Sequence, residues 1–201
     1  MNALLATAAC SYLLGSIPFG YLLIRIFHGQ DIRQTGSGNI GATNVSRTSP
    51  GLGVLTLGLD AGKGFAAVAL TRMFFPGQPV LLGVAAFTAI AGHMFPVWLK
   101  FRGGKGVATG LGSFVVIAPK ATLIAAGIFL IVVLASRYVS LSSVISVASF
   151  PSLALSLHEY GGDWTGLALM GTASLLIVLK HWSNIRRLLT GTEPRFGAKR
   201  S

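Results

Sequence analysis

The sequence predicts an all-α polytopic integral membrane protein with about seven transmembrane helices, and three observations support this. Of its 201 residues, 52% are hydrophobic and only 10% are charged, whereas a soluble domain carries about a quarter charged residues. The mean hydropathy is +0.70. Apolar runs recur along the chain, several near the ~20 residues that cross a bilayer. The formal net charge of +11 lies in patches between these runs, which indicates orientation signals, anionic lipid heads or anionic substrates rather than nucleic acid.

The first apolar run, Met1–Ile24, carries no charge and no basic leader, so we expect a retained helix rather than a cleaved signal peptide. The run at Gly106–Ala118 has 13 residues, and it spans only if it is short or begins in the Gly-rich segment before it. Pro119 and Lys120 separate it from the next run; one continuous helix there would give six spans instead of seven. The six runs after the first are Gly51–Phe75, Val80–Leu99, Gly106–Ala118, Ala121–Ser136, Val139–Leu157 and Trp164–Leu179.

Charge placement favours seven spans over six. With seven, 13 cations fall on one side of the membrane and two, Arg72 and Lys120, fall on the other. The positive-inside rule then predicts an outside N-terminus and a cytoplasmic C-terminus. We therefore expect one domain over residues 1–201, with a first, second and third polar cytoplasmic segment at about 28–50, 100–110 and 180–201. The 13 cations are Arg25, Arg33, Arg47, Lys100, Arg102, Lys105, Arg137, Lys180, Arg186, Arg187, Arg195, Lys199 and Arg200.

Metal and redox chemistry have little material in this chain. The single cysteine, Cys10, excludes an internal disulfide, a CxxC pair and a thiolate zinc site. Five acidic residues leave little for a carboxylate metal site. We predict no metal and no cofactor.

The first polar segment contains the run from Thr35 to Arg47, which matches G-x-G-x-x-G. A membrane helix rather than a strand precedes it, so a dinucleotide fold is rejected. Small residues at a loop-to-helix start suit an anion, and Arg47 adds a fork that matches phosphate; the alternative is an ordinary polar loop. The candidate binding residues are Gly36, Gly38, Asn39, Thr43 and Asn44, beside Ser37 and Arg47.

The second polar segment presents a lysine among glycines. It is not a Walker loop, because Leu99 stands at the first glycine position and Gly106 replaces the Ser/Thr. A lysine beside bare backbone N–H groups still suits a phosphate, although the cations would also serve topology alone. The candidate binding residues are Gly103, Gly104, Lys105 and Gly106. His93, just upstream, is a catalytic group or, more commonly, a satisfied interhelical hydrogen bond.

The third polar segment places His181 and Asn184 three residues apart, and on a continuing helix they share one face. The alternative is a juxtamembrane tail whose arginines contact lipid phosphates. Elsewhere, Asp60 and Lys63 lie in an apolar run and predict a mutual ion pair. Ser142 is a further candidate binding residue, although helix capping also explains the serines near it.

Together the three segments predict an electropositive pocket at the cytoplasmic surface, with apolar helices as walls. A ligand suited to it has a phosphate and a long apolar tail. The motifs at Gly36–Asn44, Gly92–Thr109 and His181–Leu189 resemble those of the bacterial acyl-phosphate-dependent glycerol-3-phosphate acyltransferases. The likeness extends from Leu14 to Glu193, with no clear departure in the motifs.

The resemblance implies seven transmembrane helices in the bacterial inner membrane and a site that faces the cytoplasm. It implies transfer of a fatty acyl group from acyl phosphate to the 1-hydroxyl of glycerol 3-phosphate, giving lysophosphatidate and inorganic phosphate. This is the first acylation of phospholipid synthesis. The implied partners are these two substrates and membrane lipids, with no nucleic acid. It also implies that Ser37, Arg47, His181 and Asn184 are needed for activity, that residues 103–106 bind glycerol 3-phosphate, and that Glu193 is structural.

An acyl phosphate is an activated mixed anhydride, so no covalent nucleophile is required. Arg47, Lys105 and backbone N–H groups would neutralise two phosphates and the developing oxyanion. His181 or a substrate phosphate would accept the hydroxyl proton. The main alternative is a small transporter for organic phosphates or anions. A phosphotransferase acting on a nucleotide-diphosphate lipid is a weaker one, because it normally needs acidic Mg²⁺ ligands.

Overall fold

A computed structural model describes residues 2–197, and in that part of the chain ten α-helices alternate with short turns. Short 3₁₀ turns lie at Ile32–Gln34 and Val97–Leu99. The predicted cytoplasmic cations Lys199 and Arg200 lie outside the described residues. The helices are α1 (Ala3–Gly15), α2 (Phe19–His28), α3 (Ala42–Thr48), α4 (Pro50–Phe74), α5 (Pro79–Met94), α6 (Val107–Ile117), α7 (Pro119–Ser136), α8 (Val139–Ser156), α9 (Trp164–Lys180) and α10 (Trp182–Leu189).

The predicted all-α class is confirmed, and several helices have the length and apolarity of membrane spans. Among residues 2–197, five segments qualify, and α9 with α10 adds a sixth if this pair, bent by 54°, is one span. The shorter apolar helix α6 has 11 residues and rises only about 16 Å at ~1.5 Å per residue. The predicted count of seven therefore depends on α6. The five segments are Ala3–His28, Pro50–Phe74, Pro79–Leu99, Pro119–Ser136 and Val139–Ser156.

Prolines begin three of the long helices and break a fourth. Pro50, Pro79 and Pro119 stand at the N-termini of α4, α5 and α7, where a missing N–H costs no hydrogen bond. The predicted break before Pro119 is confirmed. The predicted first span is present as the candidate span Ala3–His28, but it is not one continuous helix, because the chain leaves the helix between α1 and α2 at Ser16–Pro18. Pro18 has no amide hydrogen and cannot continue the ladder of the preceding turn.

Two pairs of helices touch backbone to backbone at what we call the glycine seams. Gly15 and Gly92 join α1 to α5, and Gly64 and Gly112 join α4 to α6. A methyl group added at any of the four would overlap a backbone carbonyl oxygen of the facing helix. Small residues allow this close approach, which is how helices commonly associate in membranes.

Two apolar clusters lie inside the bundle. The larger contains buried side chains from every helix between α4 and α9, and within it the rings of Phe114 on α6 and Phe150 on α8 stack with centroids 4.2 Å apart. The smaller lies beneath the first polar segment and fixes that segment to the end of α2. Its buried members are Ile24, Ile32, Ile40, Val45 and Leu99. Helix α7 packs on the outside and exposes side chains such as Leu123, Ile131 and Leu134, as expected of a face in contact with lipid.

Candidate functional site

Asn44 holds the first polar segment in its folded shape. Its buried side chain donates from Nδ2 to the carbonyl oxygens of Ile32, Thr35 and Asn39, at 3.2, 3.1 and 2.8 Å. Its Oδ1 accepts the backbone N–H of Ser37 at 2.9 Å. The side chain predicted to bind substrate therefore serves the backbone of its own segment.

The turn around Ser37 requires glycine on both sides. Gly36 and Gly38 have φ values of 60° and 70°, which glycine adopts without strain. A methyl group at Gly36 would overlap Asn44 Oδ1 and would lie 3.5 Å from Arg47 Nη1. Ser37 and Arg47 are both exposed.

The second polar segment is folded back on the end of α5. The N–H groups of Gly103 and Gly104 donate to the carbonyl oxygens of Met94 and His93 at 3.1 and 3.0 Å. A methyl group at Gly104 would overlap Nε2 of the His93 ring. These two amides are therefore not the bare phosphate donors expected from the sequence; the glycines allow close packing that sets the direction of Lys105.

The third polar segment does not continue α9 as a straight helix, which corrects the sequence prediction. α9 ends at Lys180, and α10 starts at Trp182 with a bend of 54°. The amphipathic α10 carries two arginines, so a turn along the membrane surface keeps them in water. Nδ1 of buried His181 lies 2.8 Å from the carbonyl oxygen of Ile177. Since a carbonyl can only accept, Nδ1 carries the proton and Nε2 of the neutral ring carries the lone pair.

A hydrogen-bonded network, which we call the rim network, joins the second and third segments to α8. Lys105 Nζ donates to Asn184 Oδ1, and Asn184 Nδ2 donates to Glu193 Oε1 at 2.7 Å. Ser140 Oγ donates to the same carboxylate oxygen at 2.7 Å. Arg187 Nε donates to Glu193 Oε2 at 2.7 Å. Glu193, expected to be structural, is the centre of this network.

The charges of the three segments act on one another. Burial lowers the pKa of Lys105 to about 8; the charge of Glu193 opposes this, and those of Arg187 and Arg47 add to it. Burial alone would raise the pKa of Glu193, but its hydrogen bonds, first that of Asn184, hold that pKa below its usual value. Lys105 also interacts electrostatically with His181. The structure thus places Lys105 in hydrogen-bond contact with Asn184, and it places Arg47 and His181 near enough to interact electrostatically with Lys105.

Ser140, rather than Ser142, reaches this network. The hydroxyl of Ser142 is fully buried and donates to the carbonyl oxygen of Tyr138 at 2.8 Å, within its own helix. Residues two apart on a helix point about 200° away from each other, so only one of the two serines faces the site. The sequence showed the serines at the start of α8 but not the phase of the helix. Arg187 was seen only as a lipid contact.

A second polar cluster lies deep in the bundle. Asp60 Oδ1 is 2.8 Å from Lys63 Nζ, which confirms the predicted ion pair. His93 Nδ1 is 3.5 Å from the same carboxylate oxygen. Lys63 Nζ also donates to the carbonyl oxygen of Ile17 at 2.7 Å, in the break between α1 and α2. We call Asp60, Lys63 and His93 the deep triad.

Among residues 2–197, no group of three or more His, Cys, Asp and Glu side chains is arranged to hold a metal ion. The candidate site is instead a cluster of cations, amides and one imidazole around the single carboxylate of Glu193, and anions with hydroxyl groups fit the cations and amides of that cluster.

Comparisons with known proteins agree with this chemistry. The family model described as glycerol-3-phosphate acyltransferase matches residues 5–191. The glycerol-3-phosphate acyltransferase of Synechococcus sp. (strain CC9902) is 47% identical over 192 residues, covering 95% of this chain and 94% of that relative. The crystal structure of PlsY, an integral membrane glycerol 3-phosphate acyltransferase, in its glycerol 3-phosphate form has a TM-score of 0.91 and 38% identity, covering 98% of this chain and 96% of that one.

The lysophosphatidic acid form of PlsY has a TM-score of 0.88 and 36% identity, with the same coverage. These matches extend over nearly the whole chain, and they confirm a multi-pass integral membrane architecture. Family model, relative and solved structures all agree. The chain therefore belongs to the glycerol-3-phosphate acyltransferase family.

Proposed function

We propose that this protein transfers a fatty acyl group from an acyl phosphate to the 1-hydroxyl of glycerol 3-phosphate. The products are lysophosphatidate and inorganic phosphate, and the reaction is the first acylation of phospholipid synthesis. PlsY has been crystallised in glycerol 3-phosphate and lysophosphatidic acid forms, which supports the acceptor and the product. The observation that carries the proposal is the contact of Lys105 with Asn184, with Arg47 and His181 near enough to interact electrostatically with the same lysine.

Both proposed substrates carry a phosphate, and the site offers cations for them. Arg47 is suited to a phosphate because its guanidinium forms two parallel hydrogen bonds. Lys105 adds a point charge, which the neutral amide of Asn184 holds in direction without cancelling it. Ser37, on the exposed turn between Gly36 and Gly38, supplies a hydroxyl donor. We assign to these groups the binding of the two phosphates and of the oxyanion that forms on the acyl carbon.

The reaction forms one carbon–oxygen bond and breaks another. The acceptor hydroxyl oxygen attacks the acyl carbon, the bond from that carbon to the phosphate oxygen breaks, and the hydroxyl proton leaves with a base. Nε2 of His181 carries a lone pair when Nδ1 donates to the Ile177 carbonyl, so it is one candidate acceptor for that proton. The departing phosphate is the other acceptor for that proton. An acyl phosphate is already activated, so no covalent intermediate on the protein is needed.

We further propose that residues 1–201 act as one domain with seven spans in the bacterial inner membrane, and that the site faces the cytoplasm. α6 would be the short fourth span. The clustering of cations in the three polar segments supports this orientation through the positive-inside rule. Acyl phosphate and glycerol 3-phosphate would then reach the site from the membrane and the cytoplasm, respectively.

The experiment is phosphate release and lysophosphatidate formation by purified protein given palmitoyl phosphate and glycerol 3-phosphate. Parallel reactions omit the acceptor, replace the donor with palmitoyl-CoA, or use Arg47→Ala. The matched control is Arg102→Ala, which removes an exposed arginine of the second segment. Release that needs the acceptor, fails with acyl-CoA and fails only in Arg47→Ala establishes the function. No release from folded protein, together with liposome uptake of labelled glycerol phosphate, would establish a transporter instead.

A further inference from the structure

We propose that His93 is a positioning residue for the second polar segment: Asp60 and Lys63 fix its ring, and the ring fixes the backbone of Gly104 so that Lys105 is directed at Asn184. This inference rests on the proposed function for its kinetic consequence and on the packing of His93 for its structural one. It assigns a role to a buried group that the proposed chemistry does not use.

His93 contacts the second polar segment through both its backbone and its ring. His93 is 4% exposed, and its backbone carbonyl accepts the N–H of Gly104 at 3.0 Å. Its ring lies so close to Gly104 that a methyl group there would overlap Nε2. One residue thus holds Gly104 both by its backbone and by its side chain, and Lys105 follows directly in the chain.

Two charged residues fix the orientation of the His93 ring. Nδ1 faces the carboxylate of Asp60 at 3.5 Å, and Lys63 holds that carboxylate at 2.8 Å. Lys63 is in turn fixed by the Ile17 carbonyl at 2.7 Å and lies 5.6 Å from the centre of the Phe19 ring. The Asp60 carboxylate therefore orients the imidazole. Its own position is fixed by Lys63, which in turn contacts Ile17 and Phe19.

Packing alone does not explain why a histidine stands at position 93. His93 Nδ1 faces Asp60 Oδ1 on α4 at 3.5 Å, which is longer than the close interhelical hydrogen bond expected from the sequence. Burying a polar ring without one costs free energy, and Phe would fill similar space without that cost. The remaining attraction is to the carboxylate of Asp60, across a low-dielectric gap in which direction matters.

The third polar segment contacts the same end of α5 that holds Gly104. The end of α5 also receives Lys180, whose Nζ donates to the Met94 carbonyl at 3.4 Å and lies 4.1 Å from the centre of the Phe95 ring. Lys180 directly precedes His181. The end of α5 therefore contacts both Gly104 of the second segment and Lys180 of the third, and it helps to fix the positions of both segments.

The kinetic test uses His93→Phe, His93→Gln and Asp60→Asn, with Thr88→Val as a control that removes a polar group elsewhere on α5. We expect His93→Phe to lower kcat/KM for glycerol 3-phosphate roughly 10- to 100-fold, as small misplacements do, mainly through KM. Its Tm should stay close to that of the wild type. His93→Gln should recover part of the loss, because its amide can donate to Asp60. An unchanged KM in His93→Phe, or a loss that follows Tm across the series, overturns the proposal.

A double-mutant cycle tests the contact itself. Gly104→Ala should raise KM because its methyl group meets the His93 ring, and the same change should cost less in a His93→Ala background. Equal costs in both backgrounds would contradict the contact. Hydrogen exchange at residues 100–106 is read in parallel and needs no substrate: His93→Phe should speed it and Thr88→Val should not. If the wild type transfers no acyl group, the proposed function fails, while this exchange result still decides the role of His93.

Discussion

The deep triad and the rim network each contain a lysine and a carboxylate, but they connect the two groups differently. In the deep triad, Lys63 meets the carboxylate of Asp60 directly at 2.8 Å. In the rim network, Lys105 meets the neutral amide of Asn184, and the carboxylate of Glu193 lies beyond that amide.

This difference separates a structural lysine from one that can bind a ligand. The Coulomb energy of two charges falls in inverse proportion to their distance. Asp60 therefore neutralises Lys63 far better than Glu193 neutralises Lys105. The amide fixes the direction of Lys105 without supplying a charge. A positive field is therefore left at the rim for an anionic substrate, and none is needed inside the bundle.

The largest effect we expect is on stability, from Lys63→Met. It leaves the buried carboxylate of Asp60 without its cation, and breaking a buried pair in this way costs about 3–5 kcal/mol. Thermal unfolding in detergent should show a much lower Tm. The double variant Asp60→Asn/Lys63→Met should recover most of it, and a double variant as unstable as the single one would argue against the ion pair as the cause.

Lys105→Met should have the opposite profile. Losing a positive group that stabilises transition-state charge costs on the order of 10²–10³ in rate, while removal of a half-buried cation should leave Tm unchanged. Acyl transfer and Tm are measured on the same preparation. The control Lys100→Met changes an exposed lysine of the same segment and should keep its activity; equal losses in both variants would mean that the segment as a whole, not Lys105, is needed.

Asn184→Asp converts the rim into a copy of the deep arrangement. A carboxylate placed directly on Lys105 would cancel its field and repel the substrate phosphate, and such like-charge juxtaposition costs a few kcal/mol. We expect KM for glycerol 3-phosphate to rise roughly 10- to 100-fold. Asn184→Gln keeps the amide neutral and serves as the comparison. Similar KM values for the two variants would show that shape, rather than charge, is what Asn184 provides.

The two serines of α8 offer a smaller and well-matched test. Ser140→Ala removes a hydrogen bond to Glu193 and should lower kcat/KM roughly 3- to 10-fold, as the loss of one hydrogen bond does. Ser142→Ala removes only a bond within its own helix and should have little effect. Steady-state kinetics that rank the two variants in the reverse order would restore Ser142 as the site serine.

The smallest effect is a shift in pH dependence. Lys105 is charged below its pKa of about 8, so activity that needs this charge falls as the pH rises through that value. Arg187 lowers this pKa, so Arg187→Gln should raise it and extend activity to higher pH. The shift should be less than about one pH unit, because exposed charge pairs interact by about 1 kcal/mol or less. A pH–rate profile that moves downward would contradict the assignment.

The sequence was sufficient where local chemistry decides the structure. Pro119 divides two apolar runs because it lacks an amide hydrogen, and Asp60 and Lys63 pair because they lie three apart on one helix. The three polar segments were also predicted to meet at one site. In the structure Lys105 of the second segment contacts Asn184 of the third, and the charge of Arg47 in the first acts on the same lysine.

The sequence was insufficient where distant elements or helix phase decide. Asp60 and His93 meet across two helices, and no local spacing indicates that contact. The choice of Ser140 over Ser142 depends on how α8 is rotated. The bend at His181 depends on where the membrane surface lies relative to the end of α9, and the central place of Glu193 depends on the return of the chain after α10.

At the glycine seams the separation of the helices is set by peptide groups in contact, so no side-chain layer exists there to absorb a change in volume. The second polar segment connects α5, which belongs to one seam, to α6, which belongs to the other. A methyl group added to a glycine in either seam would therefore shift a whole helix. The end of that helix would in turn displace Lys105. Substitutions far from the site, at positions with no polar chemistry at all, should thus behave as alignment errors of the catalytic groups.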